Sequence, residues 1–338
     1  MRSVTDELAA LQRSLGRPLQ FDEYLGIALY GAHGFYTSGG QAGRRGDFIT
    51  SPEVGPLFGT VLARWIQAEH DRLGRPTDFT VVEVGAGPGT LARAVLSAAP
   101  EWADRYVAVE IAAAQRAQHP AGVRSTERLP DTPVAGVVIA NELLDNLPFR
   151  LAVFDGGWRE AFVSAADDGT LREVLRPAPD EWGWLPARAT HGARVPVQAS
   201  AARWVEDARA SLTAGTVLAF DYCTARTAVV AASPWREWLR TYRGHERGEH
   251  YLRSPGLQDV TAQVCLDQLP EPTATRSQAQ FLKLWGIDDL VAQGIEAWNQ
   301  SAARPNVHAL RMRSRVRESE SLLDPSGLGG FVAMEWRL

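Results

Sequence analysis

The chain has 338 residues, 45% hydrophobic and 22% charged, with a formal net charge of −5. That is an ordinary globular composition, too long for one simple core and too acidic for wholesale nucleic-acid binding. Only two cysteines occur, Cys223 and Cys265, far apart, and the seven histidines show no ligand spacing, so neither a disulfide framework nor a metal is expected. No apolar run is long enough to span a bilayer, and the N-terminus lacks the basic-then-apolar plan of a secretory signal. Asp6 and Glu7 also argue against a transit peptide, so a cytoplasmic location without a membrane partner is the expectation.

In chain order, residues 1–75 read as a helical extension. Helical spacing covers 5–15 (Leu8, Leu11, Leu15), 21–30 and 57–73. Between the last two lies a stretch rich in Gly, Ser and Pro, 31–55, which should be loop. It carries Phe35, Tyr36, Phe48 and Ile49, too many apolar groups for an idle loop, so it is expected to fold back over something. Tyr36 and Phe48 are candidates for shielding a ligand, and Arg44 with Arg45 reads as exposed loop charge.

From Phe79 the rhythm changes to alternating strands (79–84, 106–110, 123–125, 134–140) and helices (90–99, 112–118). This predicts an α/β class with a Rossmann-like core over 76–150, a parallel sheet covered on both faces. Residues 151–200 break the pattern with strand-like runs around Asp155-Gly156-Gly157 and Asp167-Asp168-Gly169, which predicts an inserted antiparallel hairpin lobe. Over 201–338 a helix (199–212) leads to a buried strand (216–222) that resumes the sheet. Mixed loops follow, then helices at 277–284, 287–297 and 307–320 and a closing strand in GGFVAMEW.

The chemistry concentrates at Val81-Val82-Glu83-Val84-Gly85-Ala86-Gly87-Pro88-Gly89-Thr90. Here a strand enters a glycine turn and a helix opens at Thr90. Glycine allows positive φ and lets backbone approach a ligand, and the helix N-terminus offers unpaired N–H groups. Two ligand classes suit such a turn. A dinucleotide wants G-x-G-x-x-G, whereas the third glycine here comes one position early. Glu83 would repel a pyrophosphate but can hold an ammonium, which favours S-adenosylmethionine, a ligand with an amino-acid end, a sulfonium and no phosphate. Glu110, ending the next strand, can accept both ribose hydroxyls of either ligand. After the fourth strand comes Asn141-Glu142-Leu143-Leu144-Asp145-Asn146-Leu147-Pro148, where an α/β sheet forms its crevice. Helix capping accounts for Asn141 but leaves the two carboxylates, Glu142 and Asp145, unexplained.

Several segments together resemble a known family: FDEYLGIALYGAHGFY (21–36), GDFITSPEVGPLFG (46–59), the glycine turn with Glu83, NELLDNLP (141–148), FDY (220–222), LRTYRGH (239–245) and PGLQDVTAQV (255–264). The chain is similar to the MidA-type S-adenosylmethionine-dependent methyltransferases, which include a mitochondrial arginine methyltransferase that assists complex I assembly. The resemblance implies a class I methyltransferase core with an N-terminal extension and an inserted lobe. It also implies that 46–53 lies against the cofactor, adding Ser51, Pro52 and Glu53 to Glu83, Gly85, Gly87, Gly89, Thr90, Glu110 and Asn141 as cofactor contacts. Protein arginine methylation is implied too, with the guanidinium held by Glu142 and Asp145.

Acceptor contacts are expected at Asp221, Tyr222, Arg240 and His245. For Asp221 and Tyr222 a buried structural role fits equally, and for the Arg-rich 240–247 a solvated surface does. Cys223, Glu237-Trp238 and Cys265-Leu266 stand where the family usually has Gly, Gly-Thr and Asp-Phe. These departures fall in the C-terminal half. They leave two competing functions open, a small-molecule O- or N-methyltransferase and a cofactor-binding assembly factor without turnover.

Overall fold

The computed structural model describes residues 3–338 apart from 39–49, 167, 245, 302–303 and 305. Seven strands form the main sheet: β1 (Thr80–Val84), β2 (Tyr106–Val109), β3 (Arg124–Thr126), β4 (Val134–Asn141), β5 (Leu212–Asp221), β6 (Ala274–Ser277) and β7 (Val332–Arg337). Their order is β3-β2-β1-β4-β5-β7-β6. β1 to β5 are parallel; β7 runs antiparallel to β5 and β6 antiparallel to β7.

The helices that matter for the site are α1 (Val4–Leu15), α2 (Phe21–Tyr30), α3 (Pro56–Arg72), α4 (Thr90–Ala98), α5 (Ala199–Ala210), α6 (Gln278–Leu284), α7 (Ile287–Ser301) and α8 (Val307–Leu323). Strand side chains alternate between faces, and the sequence uses that period to build two cores. Val81, Val137, Ile139, Leu218 and Phe220 pack with α3, α4 and α6. Val82, Val138, Ala140, Val217 and Ala219 pack on the opposite face with α5. Both faces of the sheet are thus covered, as the near-continuous apolar runs of β4 and β5 require. β5 begins earlier than expected from sequence, at Leu212, because the chain leaves α5 at Ala210 and goes straight into the sheet with an irregularity between Leu212 and Ala214.

The inserted lobe is a five-stranded antiparallel sheet of Arg150–Phe154, Trp158–Ala165, Leu171–Pro177 and Arg194–Val197, joined by Leu19–Gln20. α1 and α2 pack into this lobe: Leu8, Phe21, Tyr24 and Leu25 share a core with Leu151, Val163, Trp238 and Tyr251. α3, by contrast, belongs to the main sheet. The helical N-terminal stretch is therefore divided between two bodies, and amphipathic spacing alone does not say which partner a helix will take. A further small sheet, Glu246–Arg247, Leu239–Arg243 and Asp259–Ala262, occupies a region that reads as loop in the sequence.

The sheet is tightest where three strands meet. A Cβ at Gly136 would lie 1.9 Å from the Thr80 carbonyl oxygen, and one at Gly215 would lie 1.7 Å from the carbonyl oxygen of Gly136. Neither backbone atom can yield without opening the β1-β4-β5 pairing. Gly136→Ala should therefore lower unfolding free energy by about 3 kcal/mol in denaturant titration, the upper end of overpacking costs. A loss below about 1 kcal/mol would show that the strands can spread.

Candidate active site

The carboxyl ends of β1, β2 and β4 open onto a cleft of about 780 Å³, within the usual range for a small-ligand site and where an α/β sheet is expected to hold one. Its floor is the glycine turn. Gly85, Gly87 and Gly89 have φ of 70°, 54° and 84°, the left-handed region that other residues rarely adopt. Space is as restrictive as conformation: a Cβ at Gly85 would lie 3.1 Å from Leu143 Cδ1, and one at Gly87 would lie 3.2 Å from Gln115 Oε1. Gly89 is the N-cap of α4 and shapes the turn from behind, while Gly85, Gly87 and Thr90 line the cleft.

Acids surround this floor. Glu110 accepts the N–H of Gly87 at 3.0 Å and that of Ala112 at 2.8 Å. A carboxylate has about four acceptor sites, so two remain for hydroxyls. Glu83 lines the cleft and accepts the Tyr106 hydroxyl at 2.7 Å. Burial pushes its carboxyl up to about 8, the tyrosine bond offsetting only part of that shift.

Across the cleft, Glu142 sits at φ 51° and donates its N–H to the Phe220 carbonyl at 2.8 Å. A non-glycine residue there costs roughly 1–3 kcal/mol and persists only where the surroundings enforce it. Its Oε1 accepts from Asn141 Nδ2 at 3.0 Å and from the Ser51 N–H at 3.3 Å. Burial first, and then the charge of Asp145, push its carboxyl up to about 8. Asn141 Oδ1 is buried with no hydrogen-bond partner among the described residues.

Most of the expected cofactor contacts meet here: Pro52, Glu53, Glu83, Gly85, Gly87, Thr90, Glu110 and Asn141 line one cleft with Glu142. Ser51 reaches the site only through its backbone, its hydroxyl donating to Gln278 Oε1 at 2.9 Å. Phe48 and the first part of 46–53 lie outside the described residues. Asp145 stands behind the wall, with Oδ2 accepting the Thr261 hydroxyl and Oδ1 buried without a hydrogen-bond partner among the described residues. Burial pushes its carboxyl up to about 6.

Of the acceptor contacts expected on β5 and beyond, none of the described ones lines this cleft. Asp221 is fully buried and does not line the cleft: Oδ2 accepts the N–H groups of Leu144 (2.9 Å) and Asp145 (3.2 Å), and Oδ1 that of Tyr222 (2.9 Å). It is the cap that holds the Leu144–Asn146 turn, a structural role with the same sequence signature as a crevice acid. The Tyr222 hydroxyl bonds Thr261 Oγ1 at 2.5 Å, and Arg240 lies over the Tyr222 ring at 5.1 Å, its Nε donating to the Glu237 carbonyl. Neither lines the cleft. His245 lies outside the described residues.

Tyr36, a sequence candidate for shielding the ligand, does line the cleft, but its partners Tyr30 and Asp259 went unread in the sequence. Tyr30 and Tyr36 stack with centroids 5.4 Å apart, and both line the cleft beside Asn146. Asp259, buried in the small sheet, accepts from the Tyr36 hydroxyl and from Asn146 Nδ2, each at 3.1 Å, while the Tyr30 hydroxyl donates to the Asn146 carbonyl at 3.1 Å. Burial pushes the Asp259 carboxyl up to about 7. Its one sequence signal was the segment 255–264, which carries the family resemblance without revealing a contact to Tyr36.

The site fits S-adenosylmethionine on its own chemistry. It offers a cradle that a Cβ would fill, an acid with spare acceptor sites for a ribose, an acid beside the turn for an ammonium, and a buried amide oxygen without a partner among the described residues. Among the described residues no group of His, Cys, Asp or Glu is arranged to hold a metal ion. Residues 61–284 match a sequence family described as S-adenosyl-L-methionine-dependent methyltransferase. The human mitochondrial protein arginine methyltransferase NDUFAF7 is 26% identical over 360 residues, 92% of this chain and 78% of that protein. Its Drosophila melanogaster homolog is 30% identical over 206 residues, 51% of this chain and 47% of the fly protein. A crystal structure from Burkholderia thailandensis with bound S-adenosylhomocysteine superposes with a TM-score of 0.84 at 28% identity, covering 99% of this chain and 92% of that one. The chain therefore belongs to the MidA-type family of S-adenosylmethionine-dependent methyltransferases.

Proposed function

We propose that the methyl acceptor is an arginine guanidinium of a protein, held by Glu142 with Asp145 in support. The observation that carries this reading is Glu142 itself, a carboxylate at the cleft on a left-handed backbone and fixed, among the described residues, through one oxygen only. The relatives named protein arginine methyltransferases support the acceptor class. On the cofactor side we assign Glu83 to an ammonium, Glu110 to ribose hydroxyls, and the turn from Gly85 to Thr90 with Pro52 and Glu53 to the enclosing walls.

Bound S-adenosylmethionine supplies a methyl on a sulfonium, open to in-line displacement by an aligned nucleophile. The protein's part is to bring the acceptor nitrogen into line and take its proton. Glu142 Oε2 has no protein donor among the described residues and is the atom that would accept a guanidinium N–H. A carboxylate that the bound guanidinium holds ionised, and that burial otherwise favours in its protonated form, is suited to take up that proton as the methyl transfers. Asp145 Oδ1 adds negative charge behind it, and the stacked Tyr30 and Tyr36 help exclude water from the wall.

Glu142→Gln keeps the shape and removes the base. Methyl transfer should fall by at least about 100-fold while S-adenosylhomocysteine still binds. The assay is tritium transfer from labelled cofactor into a lysate, followed by acid hydrolysis. Label in methylarginine is the expected result, and label confined to extractable small molecules would overturn the acceptor class.

The raised carboxyls have a consequence for stability. Burial lifts Glu83 to about 8, against about 4.3 in an unfolded chain. The fold holds this proton more tightly than the unfolded chain, so the stabilisation is complete below about pH 4 and is lost as pH rises through about 8. Glu83→Gln cannot lose that proton. Its Tm relative to wild type should therefore rise steadily between about pH 5 and about pH 9. A difference independent of pH would mean that Glu83 titrates as an ordinary carboxylate.

A further inference from the structure

The cleft wall formed by Thr50, Pro52 and Glu53 lies on a one-turn helix, Ser51–Val54, which leads through Gly55 into α3. Nothing local caps α3: its N-cap is Gly55, which has no side chain, and Pro56 follows. The cap comes instead from the far end of the chain. Glu318 on α8 is buried, and its Oε2 accepts the Leu57 N–H at 2.8 Å across 261 residues of sequence. The Ser314 hydroxyl, one turn earlier on α8, holds the other oxygen at 2.5 Å. The glycine is explained by the same contact. Gly55 has an extended φ of 164° that any residue could adopt, but a Cβ there would lie 2.3 Å from Glu318 Cδ.

A second tie joins the same two segments. Gln278, fully buried at the start of α6, takes the Ser51 hydroxyl on Oε1 at 2.9 Å and reaches the Leu322 carbonyl of α8 through Nε2 at 3.4 Å. The Ser51 N–H in turn donates to Glu142 Oε1. α8 therefore grips the wall at both ends, at Ser51 through Gln278 and at Leu57 through Glu318, and the wall steadies the acid opposite the glycine turn.

We propose that Glu318 and Gln278 are positioning residues for the cofactor cleft, acting through the 50–57 wall without touching the ligand. This rests on Pro52 and Glu53 facing the cofactor. A wall that occupies its binding geometry only part of the time weakens apparent affinity in proportion to that fraction.

The test is calorimetric titration of S-adenosylhomocysteine into wild type, Glu318→Ala, Glu318→Gln and Ser51→Ala, with Tm recorded for each. Loss of the cap should raise Kd by about tenfold in Glu318→Ala, the scale of a lost N-cap bond. Glu318→Gln keeps an acceptor for the Leu57 N–H and should stay within about twofold, a rescue that a purely structural role does not require. Ser51→Ala, a change small enough to fold, should raise Kd about threefold by cutting the Gln278 tie. Variants with lowered Tm but wild-type Kd would overturn the positioning role and leave the cofactor site itself intact. A wild-type Kd in Ser51→Ala would do so even if Glu318→Ala proved insoluble.

Discussion

Buried carboxylates without a cation define this protein. Elsewhere in the fold, three buried acids are neutralised in the usual way, Glu69 by Arg72, Glu160 by Arg150 and Glu335 by Arg276 and Arg337, and Glu318 serves instead as the cap of α3. At the carboxyl edge of the sheet the rule lapses. Glu83, Glu110, Glu142, Asp145, Asp221 and Asp259 form no ion pair among the described residues, and hydroxyl, amide and backbone donors hold them instead. Desolvated charge without a partner is expensive, and burial shifts Glu83, Glu142, Asp145, Asp221 and Asp259 toward their neutral forms. A ligand that carries an ammonium and a sulfonium, together with a guanidinium acceptor, would supply the missing positive charge from outside.

The architecture follows from placing that cluster. β1, β2 and β4 deliver Glu83, Glu110 and Glu142 to one edge because each acid stands at or just past the end of its strand. β5 delivers Asp221 to the same level, but its carboxylate turns inward and caps the Leu144–Asn146 turn. That cap keeps Asp145 behind the wall next to Glu142, and the left-handed backbone of Glu142 keeps its side chain forward. The lobe and the small sheet then close the other side, with Asp259 tying Tyr36 and Asn146 together.

What the sequence revealed and what it concealed divide along contact range. The strand-turn-helix from Thr80 to Ala98 is local: glycine spacing and the β-branched run announce it, and Glu110 follows at the next strand end. NELLDNLP likewise announces itself, because polar groups after a buried strand mark a crevice. Asp221 looked like a crevice acid because a carboxylate at the end of a strand has one sequence signature and two possible directions. Tyr30, Asp259, Gln278 and Glu318 left no local signal. Each acts through a partner remote in the chain, such as Asp259 with Tyr36 or Glu318 with Leu57. The small sheet around Leu239–Arg243 was hidden for a different reason: its strands are too short for alternation to stand out.

If the unpaired acids are reserved for a cationic ligand, ligand binding must be linked to proton exchange. Titrating S-adenosylhomocysteine at about pH 7 in buffers of different ionisation enthalpy counts the protons exchanged on binding. If Glu83 is held protonated by burial and gives up its proton to meet the ligand's ammonium, binding releases a substantial fraction of a proton, and Glu83→Gln abolishes the release. Binding without proton release in wild type would mean that Glu83 is already charged in the free protein, and that the cleft does not hold its acids neutral in wait for a cation.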